Sequence, residues 1–265
     1  MRNRFAAVAA LLVCAPLSLG AASLSGGSIP GSNLSGGDLS RANLSRVDLS
    51  TANLAGMNLS RANFTRANLT GADLSASDLR RANFAKARLH DAVFTDARLD
   101  GASMVGAELA GAQLTGMDLR RINLKGADLS GANLSGTNLR GVTLKKATLS
   151  GTNLEGADLQ NSRIDGVAAG GANLTGANLS GVRARTAHLA GANFSTASLS
   201  GADLRKADLS GAVFTGANLS NVDFEGANMY GATIEGATWA GATCPDGTAA
   251  NSHEGVTCDG HLRAE

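Results

Sequence analysis

From Leu34 to about Trp239 a bulky apolar residue returns at every fifth position without an insertion: Leu34, Leu39, Leu44, Leu49, Leu54, Leu59, Phe64, Leu69, Leu74, Leu79, Phe84 and onward. Two places before each sits a small apolar residue, most often alanine, as at Ala42, Ala52, Ala62, Ala72 and Ala82. Asn or Asp stands between the two. Ser, Thr or Arg and then Gly or Arg follow. A fixed short period of this kind is the mark of a solenoid and constrains the fold more than any other feature of the chain.

Five matches neither the helical period of 3.6 nor the strand period of two. On a helix, leucines at every fifth residue advance by about 500° per step and spread over the whole cylinder. The recurrent glycine would also cost up to about 1 kcal/mol per residue in helix propensity. A meandering sheet fails because alternation never persists. The remaining solution is a coil that turns a corner every five residues. Its inward residues lie two apart, as a short extended segment requires, and the Gly or Asn that follows supplies the corner.

Repeats such as Ala52-Asn53-Leu54-Ala55-Gly56, Ala132-Asn133-Leu134-Ser135-Gly136 and Ala202-Asp203-Leu204-Arg205-Lys206 resemble the A(D/N)LXX motif of the pentapeptide-repeat family. The resemblance covers about four fifths of the chain. It implies an all-β fold, a right-handed quadrilateral parallel β-helix with four repeats per coil. Leu34 to Trp239 then makes about ten coils, on the order of 50 Å at the usual strand spacing. Residues twenty apart would stack, and stability would be a sum over neighbouring coils with both ends needing covers.

Residues 1–22 read as a signal peptide: Arg2 and Arg4 form a charged start, Phe5–Val13 is apolar but too short to span a bilayer, and Ser18, Gly20 and Ala22 offer small residues for cleavage. The expected mature protein is exported, periplasmic or extracellular, and bacterial. Residues 23–37 read as an N-terminal cap or degenerate first coil, where Pro30 would blunt an open strand edge. Residues 38–243 form the repeat β-helix and 244–265 the tail. Ala169 and Ala184 stand where leucine is expected, and each missing side chain would cost about 2–5 kcal/mol if its space stayed empty. The tube is expected to pinch or kink there.

The chain carries 23 basic and 22 acidic residues, so its overall charge marks it neither as a polyanion nor as a polycation. Stacking at twenty-residue intervals nevertheless gathers charge. One side carries Arg41, Arg61, Arg81 and Arg121, with Asp38, Asp78 and Asp118 placed to offset them. The next side carries Arg46, Arg66, Lys86 and Lys125. This candidate basic ridge suits an anionic envelope component, the competing reading being an ordinary solvated face. Aromatics are only 3% of the chain, which leaves little to stack on bases and argues against nucleic acid. The best-known relatives protect DNA gyrase by imitating acidic duplex DNA. This sequence departs from that pattern in its export signal, its lack of net negative charge and its two basic sides.

The beat ends at Cys244. The segment Cys244-Pro245-Asp246-Gly247-Thr248 resembles the closing segment of exported pentapeptide-repeat proteins. With Cys14 removed, two cysteines remain, an even number for an oxidising compartment. A Cys244–Cys258 disulfide would close a loop worth roughly 3 kcal/mol in the chain-entropy model. A metal site from Cys244, His253, Cys258 and His261 has suitable ligand types but no standard spacing. His90 and His188 lie on one side but several coils apart. No nucleophile elbow, phosphate loop or zinc-protease motif occurs, and a convex solenoid offers no cleft for acid–base work. No catalytic residue, cofactor or metal is expected. The sequence reads as a non-enzymatic structural or interaction protein, possible as a homodimer, whose partner is an unidentified protein or an anionic envelope component.

Overall fold

The computed structural model describes residues 23–250 and Cys258. The segment proposed as a signal peptide, and His253 and His261, lie outside the described residues. The chain divides into two compact units, which meet in sequence at Ala132 and Asn133.

In both units every pentapeptide repeats one backbone plan. The Asn or Asp before each leucine makes a parallel bridge to the residue twenty further on, as in Asp38 with Asn58 and Asn58 with Asp78. Two hydrogen bonds hold each such rung: Leu39 N–H donates to Asn58 O at 2.8 Å, and Asn58 N–H to Gly37 O at 2.9 Å. The corner is a four-residue turn closed by Ala42 N–H to Leu39 O at 3.0 Å. Its third residue has positive φ, the requirement of a type II turn, and glycine fills that place in most repeats. The Asn/Asp position is explained by the same turn. Asp38 Oδ1 accepts the Ser40 N–H at 2.8 Å, and Asn58 Nδ2 reaches one coil back to Asp38 Oδ2 at 3.0 Å. One short side chain thus stitches its own corner and the neighbouring coil.

Residues 23–132 form the described first unit. Its four sides carry Leu39, Leu59, Leu79, Leu99 and Leu119 (side one); Leu44, Phe64, Phe84, Met104 and Leu124 (side two); Leu49 to Leu129 (side three); and Leu54, Leu74, Phe94 and Leu114 (side four), all buried. The ladder begins at Ser23, which bridges Asn43, and Leu24 is buried while Pro30 is exposed. Phe64 and Phe84 stack with centroids 4.8 Å apart and 1° between planes, and Phe94 meets Phe84 edge-on at 6.4 Å. The stacking distance equals the strand spacing, so the coil rise itself brings the rings into contact. Ser77 occupies an alanine position, fully buried, and is satisfied by donating to Leu74 O at 2.6 Å.

The ladder of side one parts at one coil. Arg81 N–H reaches Asp100 O at 2.9 Å, yet among the described residues no backbone hydrogen bond joins 98–101 to 118–121, while side two stays paired there through Met104 N–H to Asn123 O at 2.8 Å. Met117 and Ile122 flank Leu119 at the positions that alanine usually fills, and both are incompletely buried, at 6% and 7%. Overfilling a close-packed tube displaces backbone, and Met117 on side one and Ile122 at the start of side two crowd the corner between them.

Residues 133–250 and Cys258 form the described second unit. Its ladder runs from Asn133–Asn153 to Asp223–Thr243. The expected defect at Ala169 and Ala184 does not open the ladder: both are buried, with Ala169 N–H to His188 O at 2.7 Å and Ala184 N–H to Asp203 O at 2.8 Å. The physical reason lies two residues earlier. Val167 and Val182 replace the usual alanine and are buried, so volume lost at one inward position returns at the other. Phe194 stacks on Phe214 at 4.9 Å, Phe214 meets Phe224 edge-on, and Phe224 packs against Trp239 at 5.5 Å. The chain then folds back. Thr243 pairs antiparallel with Ala249, Ala250 N–H donates to Ala242 O at 2.8 Å, and Cys244 is disulfide-bonded to Cys258 with Cα atoms 5.5 Å apart.

Candidate functional site

The corner residue, second after the inward leucine, takes the left-handed region in nearly every described repeat, where a side chain costs about 1–2 kcal/mol relative to the right-handed region. Among the described residues sixteen non-glycine residues accept this conformation, and eight of them are Arg or Lys. Six of those eight occupy two adjacent corners of the same three coils: Arg41, Arg61 and Arg81 (φ 62°, 60° and 60°) between sides one and two, and Arg46, Arg66 and Lys86 (56°, 59° and 57°) between sides two and three. Long basic side chains therefore stand where the fold favours glycine. Strain of this kind is an observation from which a functional hypothesis can start.

Beside the first row lies an open trough of about 1070 Å³, lined by Ser40, Arg41, Ser60, Arg61, Arg80, Arg81, Arg98, Asp100, Gly101 and Arg121. Its end is continuous with the parted ladder, where Leu99, Asp100, Asp118, Arg120 and Arg121 enclose a further cavity of about 220 Å³. The sequence-predicted Arg41, Arg61, Arg81 and Arg121 are brought together here. Arg46, Arg66 and Lys86 form a separate row on the next corner. Lys125 stands one residue short of that corner, which Gly126 occupies, so it is off the row. Arg80 and Arg98 belong to the trough because they project from the same side as the corner residues before and after them.

The offset expected from Asp38, Asp78 and Asp118 goes mainly to other partners, with Arg98 acting on Asp78 and Arg121 on Asp118 only at longer range. Asp78 takes a two-pronged contact from Arg80, at 2.8 Å to Nε and 2.5 Å to Nη2, and Asp118 takes the same from Arg120 at 2.9 and 2.6 Å. Asp38 is committed to Ser40 and Asn58. Among the described residues no carboxylate lies within ion-pair distance of Arg41, Arg61, Arg81, Arg98 or Arg121. In the second unit Arg140, Arg163, Arg185 and Arg205 are matched by Asp158, Asp165, Asp203 and Asp223, while Lys145, Lys146, Arg183 and Lys206 have no carboxylate within ion-pair distance among the described residues. Elsewhere His90 Nε2 lies 2.9 Å from Glu108. Among the described residues no group of three His, Cys, Asp or Glu is arranged to hold a metal, and no helix is long and apolar enough to cross a membrane.

The ladder carboxylates carry a pH signature. The Ser40 backbone N–H holds the Asp38 carboxyl below its ordinary range. The Ser50 and Ser210 hydroxyls do the same for Asp48 and Asp208, and the Arg80 and Arg120 side chains for Asp78 and Asp118. A folded-state value below the unfolded value of about 3.9 contributes stability that is present above that pH and lost as pH falls through the folded value. The melting temperature should therefore be insensitive to these groups between about pH 5 and 8 and fall steadily below about pH 4. Asp48→Asn, which keeps the acceptor oxygen without the charge, should flatten part of that fall in thermal melts followed by circular dichroism. An unchanged slope in Asp48→Asn would remove the ladder carboxylates as its cause.

Comparison with known proteins agrees with this architecture. The pentapeptide repeats model matches repeatedly over residues 18–56, 48–85, 58–96, 87–126, 122–161, 170–205 and 207–238. None of the curated proteins matches the chain. Among solved structures, HetL, a pentapeptide repeat protein involved in heterocyst differentiation regulation in the cyanobacterium Nostoc sp. strain PCC 7120, is 32% identical over 87% of this chain and 92% of its own, with a TM-score of 0.37. Full-length QnrB1, a plasmid-mediated fluoroquinolone resistance protein, is 19% identical over 83% of this chain and 92% of its own, with a TM-score of 0.24. A pentapeptide repeat protein of the Arabidopsis thaliana thylakoid lumen is 30% identical over 48% of this chain and 68% of its own, with a TM-score of 0.18. With four-sided coils, a rung every five residues and a family model matched along most of its length, the chain belongs to the pentapeptide repeat family, whose members adopt a right-handed quadrilateral β-helix.

Proposed function

We propose that the protein is an exported, non-catalytic interaction protein that holds an anionic partner in the arginine trough of its first unit. The observation that carries this is the set of arginines without ion pairs, three of them at corners where glycine would be less strained. Guanidinium groups suit this task because their planar fork meets carboxylate or phosphate through two parallel hydrogen bonds. Membership of a family whose proteins are generally structural or interaction proteins supports the absence of catalysis. The charged and apolar start of the sequence supports export, as does the Cys244–Cys258 bridge, which suits an oxidising compartment.

The test separates folding from binding. Arg61→Gly with Arg81→Gly relieves two left-handed corners, against a glycine entropy cost of about 0.5–1 kcal/mol each. The double variant should melt at or up to a few degrees above the parent. It should also release from an immobilised polyanion at clearly lower salt, since fewer screened contacts remain. Elution unchanged from the parent would overturn the trough as the binding site.

A further inference from the structure

We infer that the trough takes a linear polyuronate, an acidic polysaccharide chain lying along the stacking direction with one sugar residue per coil. This rests on the reading above and names the class of its partner. Arg41, Arg61 and Arg81 recur once per coil at the same corner, and coils are spaced by about 4.8 Å. A pyranose in an extended chain advances by a comparable length, so successive uronates present carboxylates in step with successive guanidinium groups.

The lining supports sugar over other polyanions. Ser40 and Ser60 stand beside Arg41 and Arg61 in the trough. The Ser60 hydroxyl donates to Asn58 Oδ1 at 2.8 Å, so its oxygen can still accept from a ligand hydroxyl. A uronate offers both a carboxylate and hydroxyls per residue, while polyphosphate offers no donor. No aromatic side chain lines the trough, so nucleic acid lacks the stacking platform that holds single strands.

The track has an end. At the fourth coil the corner row lapses to Gly101, and the one carboxylate of the lining, Asp100, stands beside it. Arg81 leans toward this gap, its Cγ 3.4 Å from where a Cβ on Gly101 would sit. A chain that has filled the sites at Arg41, Arg61 and Arg81 would next meet like charge.

The experiment is calorimetric titration of the mature full-length protein with oligogalacturonates of about one to eight residues at low salt. Affinity is expected to climb with each residue to about three or four and then level, because only three corner guanidinium groups are in line. Asp100→Asn should move the plateau to longer oligomers by opening the path toward Arg121. Arg61→Glu should weaken the trimer by about tenfold or more, and Ser40→Ala with Ser60→Ala by a few fold. Neutral oligosaccharides of equal length should not bind. Affinity that keeps rising through eight residues would overturn the bounded track. Polyphosphate that binds more tightly than uronate at equal charge would overturn the sugar assignment and leave the anion-binding trough standing. If neither polyanion binds, the inference and the proposed function both fail.

Discussion

Phe84→Ala is expected to destabilise the first unit by about 3–5 kcal/mol, the range for deleting a fully buried phenylalanine. Phe84 has no exposure, stacks face to face on Phe64 at 4.8 Å and receives the edge of Phe94 at 6.4 Å. Its removal leaves a gap inside a tube whose walls are hydrogen-bonded coil to coil, so collapse is restricted and the upper half of the range applies. For a cooperative domain of this size the melting point should fall by roughly 10 °C or more. Phe84→Leu keeps most of the volume and should lose less than about half of that. The measurement is thermal and urea unfolding of parent and variants. A drop of only a few degrees for Phe84→Ala would show that the ring column is not what holds these coils. Nearest-neighbour stability also predicts that the loss is confined to the first unit, leaving a second transition near its original position.

The sequence was most informative where the structure repeats most strictly. The five-residue beat identifies the inward residues and the corner, and the order of the sides follows from the four repeats per coil that the family resemblance implies. It also places Arg41, Arg61 and Arg81 in one column. What it conceals is which partner each charge takes. Asp78 and Arg80 lie two apart on one side, with Leu79 turned inward between them, so they pair with each other and leave the corner row unneutralised. Lys125 is one residue from the corner, and a list sorted by side alone misplaces it. The Ala169 and Ala184 positions mislead for a similar reason: attention to the leucine site misses the valines at 167 and 182 that restore the volume. The parted ladder had a signal of its own in Met117 and Ile122, two bulky residues at alanine positions on consecutive repeats, and reading both inward positions together would have found it.

Length changes in the second unit should separate a strict register from mere tolerance of repeats. Deleting Leu154–Asn173 removes one full coil and joins Asn153 to Leu174, which regenerates an unbroken pentapeptide with every downstream residue on its original side. Each remaining bridge still links residues one coil apart, since the parallel ladder has a period of twenty. The product should fold cooperatively and lose roughly the contribution of one coil. Deleting Ser180 alone is far smaller and far more damaging. It takes away one of the two central turn residues between Leu179 O and Val182 N–H, which are bonded at 3.0 Å. It also shifts everything that follows by one place, and a one-residue slip exchanges the inward and outward faces of a strand. Leu189, Phe194 and Leu199 would leave the columns of the preceding coil together with the rungs that cross the deletion, Ala169 to His188, Leu174 to Asn193 and Leu179 to Ser198. The expected outcome is a second unit without a cooperative transition for the Ser180 deletion and a clear transition for the twenty-residue deletion, both by urea unfolding. A Ser180 deletion whose urea midpoint matches that of the parent would mean that corners can absorb a lost residue, and the twenty-residue register would no longer explain why the beat runs unbroken through both units.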